Sequence, residues 1–300
     1  MRIVSLLAGA TEIVCALGAG GSLVGRSHEC DEPPWVIQLP ACSEPAFDVS
    51  VSSREIDREV RRRLQAGEPL YLIDSERIRR LNPDLVITQR HCEVCAVTPE
   101  DVERSGACLV SARQIALSAS SLEDIFDGVL QIAREIGAEA RGRALIFQER
   151  ARLENVMRKT QGAAPPRVAV LEWMDPLFTM GNWGPELVEF ANCQPVLGHK
   201  GEMSVAIDPR LLVEADPDYL IVAPCGFSLR RTLHEKPVLE MQPWWRELRA
   251  VRHGRVAYAD GNRFFHRSGM SAAQTAEIIA EIVHGVQFDV PTEGIYWRRA

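Results

Sequence analysis

Two segments of the sequence repeat one pattern: a short helix, a Pro-Asp turn and a short apolar run. They span residues 75–87 and 208–222, and a cysteine follows each apolar run, at Cys92 and Cys225. Each apolar run is too short for a core helix and is typical of a buried strand. The repeat therefore predicts two similar α/β lobes, with the cysteines beside a cleft that the lobes share.

The composition places the chain among globular proteins. Of its 300 residues, 46% are hydrophobic and 25% are charged, with a net charge of -7. The negative charge gives no general electrostatic basis for nucleic-acid binding, and no segment is long and apolar enough to span a bilayer. The N-terminal apolar stretch is too short for a signal peptide. We therefore expect a cytoplasmic protein, or a periplasmic one if a leader was removed.

Strand and helix patterns alternate along the chain, which favours parallel sheets with right-handed crossovers. Thr11 is expected to cap the first helix, after a strand over residues 2–7. Residues 121–161 contain no proline and have a helical apolar stripe, corresponding to roughly 60 Å of helix. This stretch is either one kinked helix or two helices in tandem. We predict an N-terminal lobe over residues 1–118, a long interlobe helix over 119–162 and a C-terminal lobe over 163–300.

Ligands of parallel α/β sheets bind beyond the carboxyl ends of the strands. This rule selects six loops as the walls of the cleft. The loops are 8–12, 26–31, 89–95, 172–183, 223–227 and 260–267.

Thiols and imidazoles are concentrated in these loops. Such side chains are preferred ligands of zinc, copper(I) and iron–sulfur clusters. Cys92 and Cys95 form half of a common metal-site motif, but the pair also fits redox chemistry or a structural role. The candidate metal ligands are His28, Cys30, Cys92, Cys95, Cys225 and His266.

Aromatic residues are scarce in the chain but cluster at Trp173, Phe178 and Trp183. Together they could form the floor for a flat ligand such as a tetrapyrrole, or they could fill the core. Glu172 ends an apolar strand, a position where a carboxylate is expected to be paired or functional.

Several motifs resemble the substrate-binding proteins for cobalamin, iron-siderophores and haem. The motifs are Ile3-Val4-Ser5-Leu6 with Ala10-Thr11-Glu12, Gly25–Pro34, Leu81–Ile87, Asp175–Gly181 and Asp260–Phe265. The resemblance implies a class III periplasmic binding protein fold, with two Rossmann-like lobes joined by a long rigid helix. It also implies an ABC permease as partner. However, the docking acid expected near Phe265-His266-Arg267 is missing, so that interaction is in doubt.

The resemblance favours a binding protein rather than an enzyme, with cobalamin or a related corrinoid held between the lobes. The alternative is a metal- or iron–sulfur-binding redox protein that uses the cysteines and histidines of the cleft. The candidate ligand-binding residues are His28, Glu29, Gln89, His91, Glu172, Trp173, Phe178, Trp183, Phe227, Asn262 and Phe264. The sequence leaves the oligomeric state open.

Overall fold

A computed structural model describes residues 1–90, 94, 96–106, 112–162 and 164–300. The strands are β1 Ile3–Ser5, β2 Leu23–Arg26, β3 Ser43–Pro45, β4 Tyr71–Ile73, β5 Leu85–Gln89, β6 Arg113–Leu117, β7 Arg167–Met174, β8 Leu177–Thr179, β9 Gln194–Pro195, β10 Tyr219–Val222, β11 Val256–Ala259 and β12 Trp297–Arg299.

Helices separate most of these strands along the chain. The α-helices are α1 Ala8–Ala16, α2 Ser53–Ala66, α3 Ser75–Leu81, α4 Pro99–Arg104, α5 Leu122–Glu135, α6 Glu139–Thr160, α7 Gly184–Phe190, α8 Pro209–Ala215, α9 Leu229–Glu235, α10 Pro237–Glu240, α11 Arg249–Arg252 and α12 Ala272–His284. Short 3-10 helices span Gly20–Ser22, Pro34–Gln38 and Pro243–Glu247.

Each lobe is built on its own sheet, as predicted. The first lobe has the parallel order β2-β1-β5-β6, and β3 and β4 form a separate antiparallel pair. The second lobe has the order β12-β11-β10-β7-β8. Its central strands are parallel, β9 is parallel to β7, and the outer strands β8 and β12 are antiparallel. The prediction of two parallel α/β lobes is confirmed.

The repeated Pro-Asp unit has the same backbone geometry in both lobes. The preceding helix, α3 or α8, ends on a residue in the left-handed region, Asn82 or Asp216. The aspartate then binds the first strand of its lobe: Asp84 Oδ2 accepts from the Arg2 amide at 2.7 Å, and Asp218 Oδ2 from the Arg167 amide at 2.9 Å. The repeat thus fastens β5 to β1 and β10 to β7.

The two aspartates differ in what else they bind, which predicts unequal contributions to stability. Asp218 also accepts from Arg249 Nη1 at 2.9 Å, whereas Asp84 is more than half exposed. We expect Asp218→Ala to lower the free energy of unfolding by about 2 kcal/mol and Asp84→Ala by about 1 kcal/mol or less. Urea unfolding of the two variants measures this, and equal losses would contradict it.

Local capping explains why several helices start where they do. The Ser52 side chain accepts from the Glu55 amide while the Glu55 carboxylate accepts from the Ser52 amide, so a capping box starts α2. A second capping box, of Ser121 and Asp124, starts α5. Such short-range rules act through near neighbours in the sequence, and here they set the starts of α2 and α5.

The interlobe segment is two helices in tandem rather than one long helix. Between α5 and α6, Gly137 adopts a φ of 71°, in the left-handed region. Helices commonly end at a residue in this conformation, and it is usually glycine because glycine has no Cβ to clash. The first half of α5, through Phe126, packs in the core of the second lobe, and its second half, from Val129, packs in that of the first. The connection is therefore part of both hydrophobic cores.

The start of the chain differs from the sequence prediction. β1 spans only Ile3–Ser5, and α1 begins at Ala8 with Leu7 as its N-cap. Thr11 lies inside this helix, and its hydroxyl bonds Ser5 Oγ at 2.8 Å instead of capping. No helix among the described residues is long and apolar enough to cross a membrane.

Candidate functional site

The carboxyl ends of the parallel strands in the two lobes face each other, and the loops that follow them meet. At one point the backbones touch: a Cβ atom added at Gly9 would lie 2.4 Å from the carbonyl oxygen of Ser268. Nearby, Arg263 Nη1 of the second lobe lies 2.7 Å from Glu32 Oε1 of the first. The lobes are therefore closed on each other along this edge.

A buried arginine joins the lobes beside this contact. Arg267 Nη1 donates to Glu12 Oε1 at 2.8 Å and to Asp31 Oδ1 at 2.7 Å, and its side chain is only 4% exposed. Asn262 Nδ2, a predicted ligand contact, donates to Asp31 Oδ2 at 2.8 Å. Sequence reasoning missed Arg267 and Glu12 as functional residues. The one available signal for Arg267 was its charge, two positions after the apolar Phe264-Phe265 pair.

Burial dominates the electrostatics of Glu12. Desolvation raises its pKa to about 7, against the opposing attraction of Arg267. Glu12 therefore changes its charge near neutral pH, at the contact between the lobes.

His28 lies at the end of β2, where the sequence predicted a ligand contact. Its Nδ1 is 3.0 Å from Ser43 Oγ, and its ring centroid is 5.4 Å from that of Tyr71. Nε2 is 4.0 Å from Glu29 Oε1, another predicted ligand contact. Burial, reinforced by the nearby Arg26 charge, lowers the pKa of His28 to about 4. The imidazole is neutral at physiological pH, which is the form that binds metal ions.

The predicted metal ligands that the structure describes do not form a metal site. Cys30 is buried, accepts from Thr11 Oγ1 at 3.0 Å and has its thiol pKa raised by burial, so it is not a thiolate. The Cys225 amide bonds the Glu172 carbonyl oxygen at 3.0 Å. Among the described residues, no three His, Cys, Asp or Glu side chains could hold one metal ion. His91, Cys92 and Cys95 lie outside the described residues, so the Cys92–Cys95 motif stays a prediction.

His266 is bound within the second lobe instead. Its Nε2 lies 2.6 Å from the carbonyl oxygen of Ala223, which can only accept, so this nitrogen carries a proton. Its Nδ1 is 3.5 Å from Glu172 Oε2, to which Ser204 Oγ donates at 2.7 Å. Burial lowers the pKa of His266 to about 4. The neutral ring therefore presents an acceptor nitrogen beside a carboxylate.

The predicted aromatic floor is divided between the core and the interface. Trp183 is 5% exposed and Phe264 1% exposed, and both pack in the core of the second lobe, which corrects their assignment as ligand contacts. Trp173 pairs with Phe178 across β7 and β8, and its ring centroid is 5.2 Å from that of Phe227. Trp173 and Phe227 form the one remaining aromatic pair at the interface among the described residues.

Gln89, another predicted ligand contact, is buried at the end of β5, and its Nε2 donates to the carbonyl oxygen of Ala96 at 3.3 Å. The segment 265–267, where the resemblance placed a docking acid, is also turned inward. Phe265 and Arg267 are both buried. This stretch offers no surface acid for a permease.

Two small cavities, with volumes of about 10 and 20 Å³, lie within the second lobe and are lined by residues between Val168 and Val205. Each has room for about one water molecule, so neither can hold a macrocycle.

Residues 3–262 match the family model described as periplasmic binding protein. The chain belongs to the periplasmic binding protein family. A comparison with curated proteins gave no match.

Solved structures of the periplasmic binding protein fold align along nearly the whole chain. A periplasmic heme binding protein from Pseudomonas aeruginosa has a TM-score of 0.74 at 19% identity, covering 99% of this chain and 97% of that one. The periplasmic heme-binding protein RhuT from Roseiflexus sp. RS-1 has 0.69 at 22% identity, covering 95% and 99%. The periplasmic vitamin B12 binding protein BtuF of Vibrio cholerae has 0.67 at 18% identity, covering 94% and 96%. At these identities the likeness supports the fold alone.

Proposed function

We propose that this periplasmic binding protein is a solute-binding protein whose ligand is a flat metal chelate, a corrinoid or a related tetrapyrrole, held between the lobes. The family supports a solute-binding role. The similar structures named for vitamin B12 and heme binding make this ligand class the one to test first.

The observation that carries the proposal is His28, a neutral imidazole in the loop directly after β2, with its Nδ1 3.0 Å from Ser43 Oγ. The contact with Ser43 orients the ring, and the other nitrogen, Nε2, lies 4.0 Å from Glu29 Oε1. A metal-binding histidine typically has its second nitrogen held in this way. His28 would therefore be the residue to bind the metal of a chelate, through Nε2 if Nδ1 donates to Ser43.

The second lobe supplies surfaces that suit the rest of such a ligand. The Trp173–Phe227 pair offers an aromatic surface for a macrocycle. The acceptor Nδ1 of His266 beside the Glu172 carboxylate suits a donor group. Amide side arms carry N–H donors and carboxylate side arms do not, which favours a corrinoid over a haem.

Replacing His28 should weaken chelate binding. We expect His28→Ala to raise the Kd for aquocobalamin by at least about 10-fold, because a metal ligand is lost, and to abolish the change that binding causes in the visible spectrum. Spectrophotometric titration measures both, and parallel titration with haemin distinguishes the two chelates.

His253→Ala is the matched control, because His253 is exposed at the end of α11 in the second lobe. Its Kd should equal that of the wild type. The proposal fails if the wild type binds neither chelate at millimolar concentration, and the role of His28 fails if His28→Ala retains the wild-type spectrum and Kd.

A further inference from the structure

One segment of the first lobe crosses the cleft and lies on the second lobe. This segment, residues 46–54, is called the arm: it follows β3 and ends in the first turn of α2. Beyond the arm, α2 carries ion pairs along its exposed face, such as Arg61 with Asp57 at 2.7 Å. The arm is therefore the part of this region that contacts the other lobe.

Arg231 of α9 holds the middle of the arm through backbone atoms. Its Nη1 donates to the carbonyl oxygen of Val49 at 2.7 Å, and its Nη2 to that of Val51 at 2.7 Å. Charge-assisted bonds of this length are stronger than neutral ones. Because the acceptors are carbonyl oxygens, any ligand with carbonyl or carboxylate oxygens at the same spacing could take their place.

The end of the arm is held by three more second-lobe side chains. The Ser53 amide donates to Glu235 Oε2 at 3.0 Å, and Trp173 Nε1 donates to the Ser53 carbonyl oxygen at 3.1 Å. Arg54 Nε lies 2.7 Å from Asp175 Oδ2, in an exposed pair.

The arm thus covers the surface proposed for the ligand. Trp173, one member of the aromatic pair, gives its indole N–H to the arm. The Arg231 guanidinium lies 3.7 Å from the centroid of the Phe227 ring, the other member, while bonding the arm. A macrocycle cannot reach Trp173 and Phe227 while the arm is in place.

We propose that the arm is a built-in occupant of the second-lobe half of the ligand site: the ligand displaces it, and Arg231 then donates to carbonyl or carboxylate oxygens of the ligand side arms. This inference rests on the proposed function, and it adds Arg231 as a binding residue. Arg231 exchanges two carbonyl acceptors for others, so displacement keeps the hydrogen bonds of Arg231 and breaks the three contacts at the end of the arm. The apparent affinity of the protein equals its intrinsic affinity multiplied by the fraction of molecules in which the arm is displaced.

Substitutions can loosen the arm without replacing Trp173, Phe227 or Arg231. Glu235 Oε1 also lies 3.5 Å from Arg231 Nη2, so Arg54→Ala alone is the variant that leaves this pair intact. Arg54→Ala combined with Glu235→Ala removes two of the arm contacts, and Arg54→Ala alone is a milder form. Arg58→Ala is the matched control, because Arg58 is exposed one turn later on α2. Hydrogen exchange of residues 46–54 and titration with aquocobalamin and with haemin are then measured on all variants.

The double variant should exchange the arm amides faster and bind the accepted chelate about 3- to 10-fold more tightly than the wild type, while Arg58→Ala matches the wild type. Arg231→Ala should also speed arm exchange but bind the chelate more weakly. Adding the chelate to the wild type should speed exchange of residues 46–54. The double variant and Arg231→Ala should both loosen the arm but change the affinity in opposite directions. This pattern is expected if the arm covers the ligand site and Arg231 also binds the ligand, and it is not expected if the arm is only structural.

Three results would overturn the inference. They are unchanged affinity in the double variant despite faster arm exchange, unchanged exchange in both variants, or protection of the arm by the bound chelate. In each case the wild type still binds a chelate, so the proposed function stands. Failure of the wild type and of every variant to bind either chelate would instead reject the proposed function together with this extension.

Discussion

Replacing Arg267 by alanine should lower the free energy of unfolding by about 3 kcal/mol at pH 8, because it leaves a buried carboxylate without its partner. Arg267 and Glu12 are 4% and 13% exposed, and their atoms are 2.8 Å apart. Urea unfolding of the wild type and the variant measures the loss. Arg263→Ala is the control: the Arg263–Glu32 pair is more exposed, so its removal should cost about 1 kcal/mol or less.

The loss caused by Arg267→Ala should shrink as the pH falls. Folding raises the pKa of Glu12 from 4.5 to about 7. The stability linked to this group is therefore fully present below about pH 4.5 and is lost as the pH rises through about 7. Without Arg267 the pKa of Glu12 rises further, and at pH 5 the carboxyl is neutral in both proteins. We expect the difference in unfolding free energy to be about 1 kcal/mol smaller at pH 5 than at pH 8. A difference that does not depend on pH would contradict this account of Glu12.

Replacing Gly9 by valine should separate the lobes and destabilise the protein by about 1–3 kcal/mol. A Cβ atom at Gly9 would lie 2.4 Å from the carbonyl oxygen and 2.7 Å from the carbonyl carbon of Ser268. Both atoms belong to the backbone, so no side-chain rotation relieves the clash. Thermal unfolding measures the loss of stability, and small-angle X-ray scattering measures the expected increase in radius of gyration.

Gly21→Ala is the control for Gly9. A Cβ atom at Gly21 has no neighbour within 4 Å, so this variant should keep the melting temperature and dimensions of the wild type. If Gly9→Val has the radius of gyration of the wild type, the backbone near Gly9 has adjusted without separating the lobes. That result would contradict a role of this contact in holding the lobes together.

Much of the fold could be predicted because its signals are local. The capping box of Ser52 and Glu55, for example, sets the start of α2 through residues three positions apart. The Pro-Asp turn located β5 and β10. The start of α1 was wrong because Thr11 bonds Ser5 and Cys30, partners that the fold brings to it. The interlobe stretch stayed ambiguous until Gly137 was seen in the left-handed region.

The candidate site was predicted less well, for a related reason. Strand ends indicate which loops face the cleft, and His28 does lie in one of them. The sequence does not show whether an aromatic residue after a strand points into the core or the cleft. Trp183 points into the core. Nor does the sequence show that Arg231 donates to the carbonyl oxygens of Val49 and Val51, because a backbone acceptor has no side-chain pattern to recognise.

The sequence by itself determined two α/β lobes and the set of loops between them, because periodicity, caps and Pro-Asp turns act over a few neighbouring residues. Only the tertiary structure decided which polar groups meet across the cleft. Glu12 and Arg267 are 255 positions apart in the chain, and Ser53 and Glu235 are 182 apart. Such pairs depend on how two complete lobes are oriented by α5 and α6, and no local pattern encodes that orientation.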